Sequence, residues 1–170
     1  SIAVLEVNPD HNRIVYVWTM NSARHKKEIK YKKTDETNYF AFCARKIRDL
    51  MKAFPCERIG YDTQGGGVGV REALHDKDKL QSGEVFLWNV IDPDKPQDSD
   101  VQPGLHILEP ISFSKAEWVM AANQTMRKDF EDKTLIFPFF DPMSLGFEES
   151  KSQMDSDYFS LENVLMEIEE

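Results

Sequence analysis

The sequence predicts an α/β fold, a mixed β-sheet flanked by helices, and three observations carry that prediction. Apolar residues alternate along Ile2–Val7 and Arg13–Met20, recur at helical spacing from Tyr39 to Phe54, and form a short strand-like run at Ile59–Tyr61. Strand, helix and strand in that order describe a βαβ-like unit, which puts the strand ending at Asp62 in the same sheet as the first two strands, parallel to one of them.

Each element has a local reason. Asn8, Pro9, Asp10, His11 and Asn12 form a turn cluster, so the two flanking strands read as an antiparallel hairpin, with Glu6 on a strand face and Asp10 in the turn. A lone hairpin is marginal and calls for further strands beside it. Thr34–Thr37 supplies capping residues, and Tyr39, Phe40, Cys43, Ile47, Leu50, Met51 and Phe54 draw the apolar face of a helix that ends before Pro55. A second helix is expected from Val68 to His75, a strand over Glu84–Ile91 and another over Leu105–Leu108. Residues 92–104, rich in Pro and Asp, read as a mobile surface loop; their acids do not follow a calcium-loop pattern. Ser114-x-x-Glu117 matches a capping box and starts a helix in which Trp118, Ala122, Met126 and Phe130 make a core-facing stripe. Leu135–Phe140 is a short strand stopped by Pro138. From Asp141 onward nine acids face one lysine, and Leu161, Val164, Leu165 and Ile168 mark a last helix in this acidic tail.

The 170 residues suit one domain, and 41% hydrophobic against 30% charged residues is the balance of a soluble globular protein. No apolar run approaches the roughly 18 residues of a membrane span, and no signal peptide is visible. Cys43 and Cys56 have no partner pattern for zinc and read as reduced, intracellular, structural thiols. A formal charge of −9 argues against the whole surface attracting nucleic acid. The charge is uneven: Arg24–Lys33 carries six Lys or Arg against one Glu, or +5, which leaves −14 on the rest. Such a run reads either as a solvated strand end or as a contact for a phosphate backbone, through Arg24, Lys26, Lys27 and Lys30 with Tyr31 able to stack on a base.

The chemistry centres on Glu57–Leu74. Asp62 ends a strand, the turn Gly65, Gly66 and Gly67 follows, and a helix resumes after it. Ligands in open α/β sheets bind outside the carboxyl ends of strands, so an Asp there, followed by side chains too small to cover it, is a site candidate. The glycines fit neither G-x-G-x-x-G nor a P-loop. What remains is a carboxylate suited to a hard divalent cation such as Mg²⁺. The same residues also describe an ordinary turn, or a cap on the following helix.

Arg58–Val70, together with Pro110–Lys115 and Leu135–Pro138, resembles the nuclease domain of the phage large terminase subunit, and the order of elements agrees over most of the chain. That resemblance implies an RNase H-like fold and metal-dependent cleavage of concatemeric double-stranded DNA during genome packaging. It implies two cations, Mg²⁺ or Mn²⁺, about 4 Å apart on an acidic triad whose second member is Asp62. It also implies portal and small terminase subunit as partners, and the host cytoplasm as the place of action. The family's first Asp lies on a central strand before the hairpin, and its third acid after a later helix. The chain therefore reads as an RNase H-like domain apparently lacking its first strand and C-terminal part, with both ends cut inside elements. Glu6 does not replace the first acid, and Asp155 or Asp157 would replace the third only through an unusual turn. No ATPase motif is present. Two other classes stay open: an actin-like nucleotide-binding ATPase domain, which would need a second glycine turn, and a non-catalytic protein-binding module.

Overall fold

A computed structural model describes residues 1–137. In chain order the elements are β1 (Ile2–Val7), β2 (Asn12–Trp18), α1 (Ser22–Lys30), α2 (Tyr39–Ala53), β3 (Ile59–Asp62), α3 (Gly66–His75), β4 (Leu87–Asn89), β5 (Leu105–Ile111), α4 (Ala116–Glu131) and β6 (Leu135–Ile136). Among the described residues they fall into two compact units: 1–21 with 122–137, and Ser22–Ala121. The expected continuation of β6 past Pro138 and the acidic tail with its helix, Asp155 and Asp157 included, lie outside the described residues.

In the first unit β1 and β2 form the expected antiparallel hairpin, closed by Asn8 N–H donating to His11 O at 3.0 Å, with a register shift between Val4 and Leu5. β6 adds a third strand parallel to β2, pairing Asn12 with Leu135 and Arg13 with Ile136. Trp18 and Met20 are buried. The stripe on α4 is not a core face: Trp118, Met126 and Phe130 are 39%, 48% and 40% exposed, and no residue of α4 is buried. Amphipathic spacing identifies the apolar side of a helix but not whether an element packs on it. The Ser114–Glu117 capping box does not form either, because α4 starts one residue too late for it and Ser114 Oγ lies 2.8 Å from Ser112 Oγ.

The second unit holds an all-parallel sheet in the order β3-β5-β4. The strand ending at Asp62 is therefore not in the hairpin's sheet, as the βαβ-like order had suggested. It pairs with β5, Ile59 opposite Leu108 and Asp62 opposite Ile111. Periodicity shows that a segment is a strand; its partner is set by packing across the sheet.

Further differences have local causes. β5 runs through Pro110 to Ile111, three residues beyond Leu108, although a central strand needs its N–H groups. Leu108 O accepts from Val90 N–H at 2.8 Å on the β4 side, and Ile111 O accepts from Thr63 N–H at 2.8 Å on the β3 side. By alternation the missing N–H of Pro110 faces the β4 side, past the last β4 pair at Asn89. β4 itself is shortened to Leu87–Asn89. The loop at 92–104 carries one turn of 3-10 helix, Asp98–Val101, and Trp88 Nε1–H donates to Pro103 O at 3.1 Å.

Ala44, Leu74, Leu87 and Leu108 form the core, with Ile47, Met51, Ile59, Tyr61, Val70, Ala73 and Ile107 around them, so α2 and α3 pack together on one face of the sheet. Polar contacts lock α2 to the segment before β4. Arg48, 6% exposed, donates to Val85 O at 2.9 Å and Leu74 O at 2.8 Å. Arg45 grips the Glu84 carboxylate with both terminal nitrogens, Lys52 approaches it at 3.3 Å, and Gln81 N–H donates to it at 3.0 Å. The Arg45 hydrogen bonds hold the Glu84 carboxyl well below the ordinary range, at about 2, against the opposing effect of burial. Burial lowers the His75 pKa, and the Arg71 charge adds to that, so the imidazole packed against Trp88 is neutral at pH 7.

Glu84→Gln leaves the buried guanidinium of Arg48 and that of Arg45 short of their counter-charge and is expected to destabilise the chain by about 3 kcal/mol in denaturant unfolding. Because the folded pKa lies below the unfolded one, this contribution is complete above about pH 4.5 and disappears as the pH falls toward about 2. The wild-type chain should lose stability across that window, and the Gln variant should lose less.

Candidate functional site

β3 ends at Asp62 because the chain then turns sharply into α3. Asp62 Oδ1 accepts the Gln64 N–H at 2.8 Å, closing a local turn. Thr63 crosses to β5, donating both its N–H, at 2.8 Å, and its hydroxyl, at 3.0 Å, to Ile111 O. α3 starts at Gly66 with Gly65 at its N-cap, where no side chain bonds the free N–H groups, so Asp62 is a turn residue and not the helix cap. The side chain is exposed, and Oδ2 accepts no hydrogen bond among the described residues.

The glycines have packing roles of their own. A Cβ on Gly67 would lie 1.7 Å from Asp62 O, and one on Gly69 would lie 2.7 Å from the Phe40 ring. A Cβ on Gly66 would meet the same ring at 3.3 Å, and Gly65 takes φ +54°. The turn thus lets α3 press its first residues against the end of β3 on one side and against α2 on the other.

The basic segment is a helix, α1, and not a strand end. Its sequence is rich in helix-favouring Lys, Arg and Glu, and it closes with a Schellman arrangement. Lys32 takes φ 54°, Lys33 N–H donates to Glu28 O at 2.9 Å, and Lys32 N–H to Ile29 O at 3.0 Å. A lysine in that left-handed position is why the ending was not visible in sequence. Lys26, Lys27 and Lys30 are exposed, and Arg24 is half-buried. His25 anchors the helix: it is 3% exposed, hydrogen-bonds Glu36 O at 2.8 Å through Nε2, and packs on Tyr39 and Phe42 at 5.7 and 4.7 Å. Phe40, beside Tyr39, is the residue that Gly66 and Gly69 accommodate. A continuous series of contacts therefore runs from α1 through the first turn of α2 to the glycine turn and Asp62. Sequence reasoning missed both linkers, His25 and Phe40; their only signal was an aromatic cluster beside the Asn38 N-cap, whose Oδ1 accepts Phe40 N–H and Ala41 N–H.

Among the described residues no group of three or more His, Cys, Asp and Glu is placed to hold a metal ion. Asp62 Oδ2 is a suitable oxygen donor for a hard cation, but no group of three ligands gathers round it among the described residues, so these do not form a two-metal centre by themselves. Among them, too, no helix is long and apolar enough to cross a membrane. Compared with known proteins, the chain matches no family profile, no curated protein and no solved structure.

The two close glycines are expected to respond differently. Gly67→Ala sets a methyl against backbone and should abolish cooperative thermal unfolding. Gly69→Ala meets a side chain and should cost about 1–3 kcal/mol, with most of it recovered in Gly69→Ala/Phe40→Leu. Circular-dichroism melts compare the three.

Proposed function

We propose that the chain is part of an RNase H-like, metal-dependent endonuclease domain of a viral DNA-packaging terminase, acting on double-stranded DNA. The observation that carries this reading is Asp62: an exposed carboxylate at the carboxyl end of a parallel strand, with Oδ2 unclaimed among the described residues. In this reading Asp62 supplies one oxygen to Mg²⁺ or Mn²⁺, and further carboxylates complete the centre. Lys26, Lys27 and Lys30 on α1, tied to the Asp62 turn through His25 and Phe40, meet backbone phosphates, with Arg24 beside them. The portal and small terminase subunit, and the host cytoplasm during assembly, follow from the same proposal.

The packing roles of Gly66, Gly67 and Gly69, together with the Oδ1 turn, favour a second reading in which this motif only shapes a non-catalytic protein-binding module.

Asp62→Asn separates the two, because Asn keeps an acceptor for Gln64 N–H while losing the anionic donor. The Asn variant should melt within a few degrees of wild type, whereas Asp62→Ala should cost about 1 kcal/mol. In the intact parent protein both should lower DNA cleavage by more than about a hundredfold. Unchanged cleavage in the Asn variant would leave only the binding-module reading. Calorimetric titration of the 170-residue chain with Mn²⁺ should show no tight two-site binding, since the described residues supply one assignable ligand.

A further inference from the structure

Past the end of β5 a hydroxyl is diverted from the task that its sequence position suggests. Ser114 stands where a capping box would use it, yet its Oγ lies 2.8 Å from Ser112 Oγ, inside a turn closed by Lys115 N–H donating to Ser112 O at 3.2 Å. The turn is braced: Phe113, between the two serines, meets Trp118 of α4 edge to face, with ring centroids 5.1 Å apart at 88°. Two hydroxyls in contact share one proton, so the second proton remains to be donated outward. Lys115, next along, is exposed and forms no ion pair among the described residues.

The location gives the pair its meaning. Asp62 is opposite Ile111 across the parallel ladder, and Ser112 follows Ile111 at the same carboxyl edge. Adjacent strands run about 4.8 Å apart, and Thr63 ties the two ends together through Ile111 O. A carboxylate with a free oxygen and a hydroxyl pair with a free proton thus sit on neighbouring strand ends. Hydroxyls of Ser and Thr are common donors to the phosphate oxygens of DNA.

We propose that Ser112 and Ser114 together bind a backbone phosphate of duplex DNA beside Asp62. The contact rests on the nuclease reading above, and it assigns phosphate positioning to the β5–α4 turn, while Asp62 keeps the metal side. Whichever of the two hydroxyls accepts within the pair donates its own proton to a non-bridging oxygen, and Lys115 adds charge.

The test is fluorescence anisotropy of a fluorescein-labelled duplex of about 14 base pairs with the 170-residue chain, over roughly 50–200 mM salt. Ser112→Ala/Ser114→Ala is expected to weaken binding about tenfold with an unchanged salt slope, since a hydroxyl releases no counterion. Lys115→Ala should instead lower the slope by about one. Ser112→Thr/Ser114→Thr, which keeps both hydroxyls, should retain wild-type affinity. Equal binding by the double-Ala variant overturns the proposal and leaves the nuclease reading standing. So does equal weakening in the folded double-Thr variant, which would assign the effect to turn shape. No duplex binding by the wild-type chain overturns both.

Discussion

The closeness of α3 to the end of β3 governs the second unit. With the Asp62 carbonyl where a Gly67 side chain would be, the helix begins directly on the strand end, and its later residues bring Val70, Ala73 and Leu74 down onto β4 and β5. Further along the same helix start, Gly66 and Gly69 leave room for the Phe40 ring of α2. Sequence alone presents these glycines as an absence of bulk around a carboxylate. In the structure they are contact surfaces, and the exposure of Asp62 follows from the sharpness of the turn they permit.

Charge is organised by depth. Around the nearly buried Glu84 carboxylate the charges are matched, with Arg45, Arg48 and Lys52 surrounding it. Two stretches of the surface carry one sign each, the α1 lysines on one element and the Asp-rich segment at 92–104 on another. Matched internal charge fixes geometry, whereas unmatched surface charge is available for long-range attraction and is weakened by salt. An acidic chain can therefore still offer a local phosphate-binding face, because attraction at short range depends on the nearest groups more than on the total.

What could be read from the sequence was local. The hairpin, α2, the strand at Ile59–Asp62 and the position of α3 all follow from apolar period and turn residues. What could not be read depended on distant partners. The pairing of β3 with β5 needed knowledge of which apolar strand comes alongside. The endings at Lys32 and Lys133, both in the left-handed region, run against the usual glycine signal. α1 was hidden because a basic run looks the same on a helix or a strand until His25 finds its aromatic pocket. At the candidate site Asp62 and its turn were legible, while Ser112 and Ser114 were obscured by a capping motif that the start of α4 leaves unused.

Pro110 has an effect on how this sheet could be enlarged. It withholds a donor on the flank where β4 has already stopped after three residues, and so short and blunted a margin gives an incoming segment little to zip onto. Among the described residues the outer side of β3 carries no such block. Any extended segment recruited into the ladder has one favourable berth, and it runs directly alongside the strand that presents Asp62.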